Sequence, residues 1–313
     1  VNAVMDHGKR AVSTFPIATG EYYKADYSAG VDISRYKNIK VPTSYMAAHS
    51  GFDFVGNFDE GRDAGLLHVA DHHVSPGKKQ WTWGCGDFGK TWDKNLTDED
   101  GPYIELMTGV YCDNQPDFTY IMPGETKTFT QVWYPTRDIG PTANATRKAA
   151  LSFNRKDDTL TVGCIATSRQ ENAVLTVRAG DQVLMMEQVS IDPDHPVIKR
   201  CVAPVDMDDS EIRVELCDRM DKLLVAYQPT PKGSKQEPKA RTIPPEPKDI
   251  DSLEELYLHG AHLEQYKHHT YVPEDYYLEA LRRDPKDLRC NLAMGRSMLE
   301  KGDFAAARTY LDR

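Results

Sequence analysis

The sequence predicts a mainly β N-terminal part followed by an α-helical tail, and three observations carry that division. Residues 1–145 are rich in glycine, aromatics and short alternating runs, broken by turn clusters such as Ser75-Pro76-Gly77 and Asp100-Gly101-Pro102. Residues 147–228 hold about seven short β-rich runs at the spacing of a sandwich. Beyond Asp249, leucines and tyrosines recur at helical spacing instead.

At 313 residues the chain exceeds one ordinary core, so more than one domain is expected. In the first part, residues 65–69, 103–112 and 127–134 have strand length and β-forming residues, and each ends in turn residues. In the second, residues 159–166, 174–179, 183–189 and 212–216 read as strands, with Gly180-Asp181 as a hairpin turn. Residues 147–228 are therefore expected to form a small immunoglobulin-like or fibronectin-like β-sandwich. It carries no cluster of titratable groups, so its expected role is support.

Residues 229–249 carry Pro229, Pro231, Pro238, Pro244, Pro245 and Pro247 among lysines and few apolar groups, which predicts an extended linker or a surface strap. In residues 250–313, Leu253, Leu256, Tyr257, Gly260 and Leu263 line one helix. A second helix starts near Pro273 with Tyr276, Tyr277, Ala280 and Leu281 inward, and closes at Asp284-Pro285. Residues 291–301, then Gly302-Asp303-Phe304 and Ala307, repeat the plan. This tail resembles tetratricopeptide repeats: Gly295, Gly302, Phe304 and Ala307 fit the small and aromatic positions of one repeat, and Ala261, Tyr277, Ala280 and Pro285 those of the repeat before. The resemblance implies a protein partner docked on the repeats, and further repeats downstream, because such units stack. A plain helical hairpin is the alternative.

Composition bounds the partners. Apolar residues make up 40% and charged residues 27%, with no apolar run near the roughly 18 residues a membrane span needs, so no membrane association is expected. A net charge of -10, without a basic stripe, would repel a phosphate backbone and argues against nucleic acid. Cys85, Cys112, Cys164, Cys201, Cys217 and Cys290 form no CxxC pair, which suits buried thiols in a reducing, cytoplasmic compartment. The chain opens at Val1 on strand-like sequence, so upstream residues are expected and export is left open.

Trp81, Trp83 and Trp92 crowd one short run whose glycines, Gly84, Gly86 and Gly89, argue against a helix. On a strand, Trp81 and Trp83 would share a face and offer a flat surface to a sugar ring, or else fill a core. Alternation over residues 103–111 puts Ile104, Leu106, Thr108 and Val110 on one face and Tyr103, Glu105, Met107 and Tyr111 on the other. The second face holds a lone carboxylate among aromatics, suited to general acid or base work. The alternative is a stabilising ion pair of Glu105 with Lys78, Lys79 or an arginine.

In the run from Leu66 to His73, strand alternation places His68 and His72 on one face and Asp71 and His73 on the other. Residues four apart on a strand are about 13 Å apart, too far to share an ion, and His72 and His73 would point apart. Neither a metal nor a cofactor is expected, and His72 reads as a hydrogen-bonding or proton-transfer group. Asp98-Glu99-Asp100 reads as a solvated loop or cap. No GxSxG, P-loop or GxGxxG in a strand–helix setting is present.

Together, His68-Val69-Ala70-Asp71-His72-His73, Pro76-Gly77-Lys78-Lys79, Trp81-Thr82-Trp83-Gly84 and residues 95–105 resemble a bacterial family of galactose-mutarotase-like β-supersandwich proteins. That family is a domain of unknown function commonly fused to tetratricopeptide repeats. The resemblance implies that residues 1–146 are the C-terminal part of a supersandwich. Such folds use a carboxylate on a late strand of the concave sheet as base, with histidines of earlier strands as acid. Glu105 corresponds to the carboxylate, His72 is the candidate partner, and the earlier strands are expected upstream. The implied ligand contacts are Trp81, Trp83, Lys79, Tyr103, Tyr111 and His68. Two functions stay open: an epimerase-like or glycosidase-like enzyme acting on a sugar or oligosaccharide, and a non-catalytic glycan-binding scaffold.

Overall fold

The computed structural model describes residues 2–4, 12–22, 25–97, 99–111, 121, 124–231, 244–266 and 271–313. The strands form one compact unit and the C-terminal helices a second. The fold class is mainly β, followed by α-helical hairpins.

A five-stranded antiparallel sheet runs in the order Ile104–Gly109, Gly77–Thr82, Thr43–His49, Asn2–Val4, Val12–Thr14. A three-stranded sheet holds Val132–Arg137, Ala64–Val69 and Phe54–Asp59. The first expected strand is therefore present, the second is shorter than residues 103–112, and the third begins only at Val132.

Between the paired strands Gly77–Thr82 and Ile104–Gly109, helix α1 (Asp87–Leu96) corrects the sequence reading. Gly84 and Gly86 precede the helix, with Gly86 as its N-cap, so neither opposes it. Gly89 sits inside because the backbone turns tightly underneath: a Cβ there would lie 1.7 Å from the Gly84 carbonyl oxygen. That position demands glycine for close approach, which outweighs glycine's low helix propensity of about 1 kcal/mol relative to alanine.

The second part is a two-sheet sandwich. One sheet is Thr142–Ala145, Ala149–Lys156, Thr159–Ala166, Val197–Val202, and the other is Gln182–Ile191, Gln170–Ala179, Ile212–Cys217, Leu223–Tyr227. Alternation in Thr159–Ala166 turns Leu160, Val162, Cys164 and Ala166 into the sandwich core, against Leu175, Val177, Val214 and Leu216. Ile165 and Ala150 face the other way and share a second cluster with Leu67, Val69, Ile139 and Ala145. The two β parts thus share a core across residue 146. The expected hairpin at Gly180-Asp181 is present.

In the helical unit, α2 (Leu253–Tyr266) pairs with α3 (Pro273–Arg283), and α4 (Leu288–Glu300) with α5 (Phe304–Leu311). Pro273 occupies the first turn of α3, where its missing N–H costs nothing. Asp287 and Asp303 cap α4 and α5, accepting from the Cys290 and Ala306 amides at 2.8 and 2.9 Å. Tyr276, Tyr277, Ala280 and Leu281 are buried, as their spacing predicts. Gly260 lets the Tyr277 ring approach α2, and Gly295 lets Leu311 approach α4, so the same small-against-large contact recurs one hairpin later.

Most of the proline-rich segment lies outside the described residues. Its described end lies along α3: the Tyr276 hydroxyl donates to Pro245 O at 3.0 Å, and the Arg283 guanidinium donates to Ile250 O at 2.6 Å and Asp251 O at 3.2 Å. No described helix is long and apolar enough to cross a membrane. Among the described residues the cysteines are free thiols, and Cys112 lies outside them.

Candidate functional site

The site is built on the pairing of Gly77–Thr82 with Ile104–Gly109, in which Trp81 stands opposite Glu105 and Lys79 opposite Met107. Across-strand partners share a face. The pairing with Thr43–His49 adds Ser44 beside Trp81 and Met46 beside Lys79. One face of the sheet therefore presents Lys79, Trp81, Glu105 and Met107 together, each half-buried. This matches the alternation read from the sequence over residues 104–109, while Tyr103, Val110 and Tyr111 lie outside the strand.

The Tyr103 hydroxyl donates to the Glu105 carboxylate, and that bond, with some burial, raises the phenol's pKa. Burial lowers the Lys79 pKa, and the nearby Glu105 charge partly opposes the shift. Tyr103 is itself anchored from α1, since its backbone N–H donates to Asp93 Oδ1 at 3.0 Å. The Tyr36 hydroxyl lies 2.8 Å from Asp93 Oδ2 and from Gly84 O, so one aspartate ties α1 to the strand and to the preceding loop. Burial and this carboxylate push the Tyr36 phenol up.

The tryptophans divide. Trp81 is on the strand, edge-on to Trp83 at 4.4 Å between ring centroids. Trp83 does not share its strand face, because the strand ends at Thr82. Its ring lies parallel to Trp92 of α1 at 4.5 Å, so Trp92 covers one of its flat faces. Tyr111 is half-buried, beyond the end of its strand and near Gly77.

His68 goes to the opposite side of the sheet. It is fully buried on Ala64–Val69, its Nε2–H donates to Gln131 Oε1 at 2.9 Å, and Gln131 accepts from Thr108 as well. Burial lowers its pKa, and Lys78 on the same side adds to the shift. Nδ1 has no hydrogen-bond partner among the described residues. His68 is a neutral interior histidine, separated by the sheet from Glu105.

His72 does not lie on the face of His68, since the strand ends at Val69 and residues 72–74 turn. Asp71 O accepts from the Val74 amide at 3.1 Å and the Ser75 amide at 2.7 Å, and Asp71 Oδ1 accepts from the His73 amide at 2.9 Å. An aspartate that binds the chain two residues on is the local cause of such a turn. The His72 and His73 rings consequently lie 3.9 Å apart and do not point away from each other. Asp53 Oδ1 accepts from the His72 amide at 3.0 Å and from Nδ1 at 2.7 Å. The turn adjoins the Gly77 end of the strand pair, where the Ser75 hydroxyl donates to Gly109 O at 2.9 Å. Glu105 is paired four residues along from Gly77, about 13 Å at strand rise. The structure thus brings Glu105 together with Tyr103, Lys79 and Trp81, and does not bring it together with His72 or His68.

Asp53, Asp93 and Tyr36 were not singled out from sequence. Their partners lie 19, 10 and 57 residues away, and no local pattern encodes such contacts. Residues Asp98 and 112–120, next to this region, lie outside the described residues.

Comparison with known proteins gives partial matches. Residues 7–136 match a domain of unknown function, DUF5107, and residues 144–227 match the second domain of YphG-like protein. Among solved structures, the chain is similar to a TPR-domain containing protein from Parabacteroides distasonis, at 12% identity over 89% of this chain, with a TM-score of 0.24. The chain spans 41% of the length of that protein.

Proposed function

We propose that the sheet face bearing Trp81, Lys79 and Glu105 binds a sugar or oligosaccharide, and that Glu105 acts on it by general acid/base chemistry. One observation carries this reading: a carboxylate paired across strands with an indole, accepting a phenol hydrogen bond and lying beside an ammonium group. The indole suits the C–H face of a pyranose. The Glu105 carboxylate can take the proton of an anomeric hydroxyl, while Lys79, made more acidic by burial, gives one to the ring oxygen. Ring opening, rotation and closure then return both protons, so the cycle balances. The resemblance of residues 68–105 to galactose-mutarotase-like proteins supports the same chemistry.

The test is Glu105→Gln in the full chain, with anomeric and reducing-end changes of aldohexoses and their oligomers followed together by NMR. The amide fits the same space and cannot accept the proton, so turnover should fall by roughly 10² to 10⁴ while sugar binding persists. Unchanged turnover in the folded variant rules the reading out.

A second reading is a non-catalytic glycan-binding scaffold that docks a protein on its repeats. Exposed Leu288, Leu292 and Phe304 on the α4–α5 hairpin favour it, at 78%, 60% and 70% exposure. Sugar binding without turnover in the wild-type chain would select this reading.

A further inference from the structure

The turn that displaces His72 from the strand also gathers three potential ligands. Asp71, His72 and His73 each offer a donor atom, and these atoms all lie within 4.8 Å of one another. We infer that this turn is a binding site for one divalent transition ion of the zinc class, held by the Asp71 carboxylate and the imidazoles of His72 and His73. The inference does not rest on the sugar reading, because the turn is at the far end of the strand pair from Glu105.

Three features make this more than a crowded surface. First, the backbone is fixed: three amides, of His73, Val74 and Ser75, donate to Asp71, so the donors converge before any ion arrives. Second, His72 has an outer partner. Asp53 holds its Nδ1–H, which leaves the Nε2 lone pair for an ion, the carboxylate–imidazole arrangement that orients metal-bound histidines. Third, the required movement is small. A tetrahedral ion with bonds of about 2.1 Å sets its donors about 3.4 Å apart. His73 Nδ1 and Asp71 Oδ1 already lie 3.2 Å apart, on side chains 77% and 62% exposed. Three protein donors leave one tetrahedral position for water, and imidazole with carboxylate suits zinc, cobalt and nickel better than calcium or magnesium.

The test is titration of the full chain with ZnCl₂ by calorimetry, and with CoCl₂ by visible absorption, which reports the geometry around the ion. One ion per chain is expected, with micromolar affinity. His73→Ala, at an exposed position, should weaken binding at least tenfold, and Asp53→Asn about tenfold through His72 orientation. Two controls use histidines elsewhere. His195, paired with Asp192 at 2.9 Å on the sandwich, should be silent when changed to Ala, as should the adjacent His268 and His269. No saturable binding, or binding lost with His195→Ala or with the His268→Ala/His269→Ala pair and kept in His73→Ala, overturns the inference.

Discussion

Gly89→Ala is the sharpest test of how α1 is seated. On propensity alone the change should stabilise the helix by about 1 kcal/mol. The structure predicts the opposite sign. The new Cβ would lie 1.7 Å from Gly84 O and 2.8 Å from Trp83 O, where ordinary contact begins near 3.4 Å. These are backbone atoms, so the helix must move by more than an ångström, and overpacking of this kind costs about 1 to 3 kcal/mol or more. An approach this short belongs at the upper end of that range, so a net loss of roughly 2 kcal/mol should remain after the propensity gain. Moving α1 also separates Trp92 from Trp83 and Asp93 from Tyr103, so the near-ultraviolet circular dichroism of the stacked indoles should weaken. Urea unfolding of the full chain, followed by tryptophan fluorescence, measures the stability. Gly51→Ala, with nothing within 4 Å of its new Cβ, is the control and should be neutral. A Gly89→Ala protein as stable as wild type with an unchanged near-ultraviolet spectrum refutes the account of this turn.

Burial depresses the His68 pKa, so folding favours its neutral form; that contribution is present above the unfolded value of about 6.5 and is lost as pH falls through the lower folded value. Urea midpoints should therefore drop between pH 7.5 and 5 by less in His68→Gln than in wild type, and equal drops would contradict the assignment. Arg283→Lys should lower the melting temperature of the helical unit by several degrees in circular dichroism, because an ammonium cannot span Glu279, Ile250 O and Asp251 O as the planar fork does. Burial pushes the Cys164 and Cys290 thiols up to about 12, so iodoacetamide at pH 8 should label them only under unfolding conditions, as read by peptide mass mapping.

Much of the architecture was legible because it rests on local periodicity. The alternation of residues 159–166 and the spacing of Tyr276, Tyr277, Ala280 and Leu281 each follow from one face being buried. The face shared by Glu105 and Met107 was legible from strand alternation alone, since both faces of Ile104–Gly109 are half-buried. What failed was the assumption that extended backbone continues past a strand's last residue. Asp71 could have warned of the turn, since an aspartate ahead of Ser75-Pro76 is turn chemistry, and the turn reverses the inference about His72 and His73. Gly89 misled because a close approach of two backbones, invisible in one dimension, selects glycine inside a helix. The apolar spacing of Phe88, Trp92 and Leu96 was the available helical signal.

The central claim is that the Trp81–Glu105 face holds a sugar. NMR titration of the full chain with aldohexoses and their oligomers, in wild type, Trp81→Ala and the surface control Met186→Ala, tests it most directly. Met186 is 55% exposed on the sandwich, far along the chain from the site. The account predicts saturable binding that Trp81→Ala weakens about tenfold, the loss of one stacking contact, and that Met186→Ala leaves intact. Binding of equal strength in all three proteins, or in none, contradicts it.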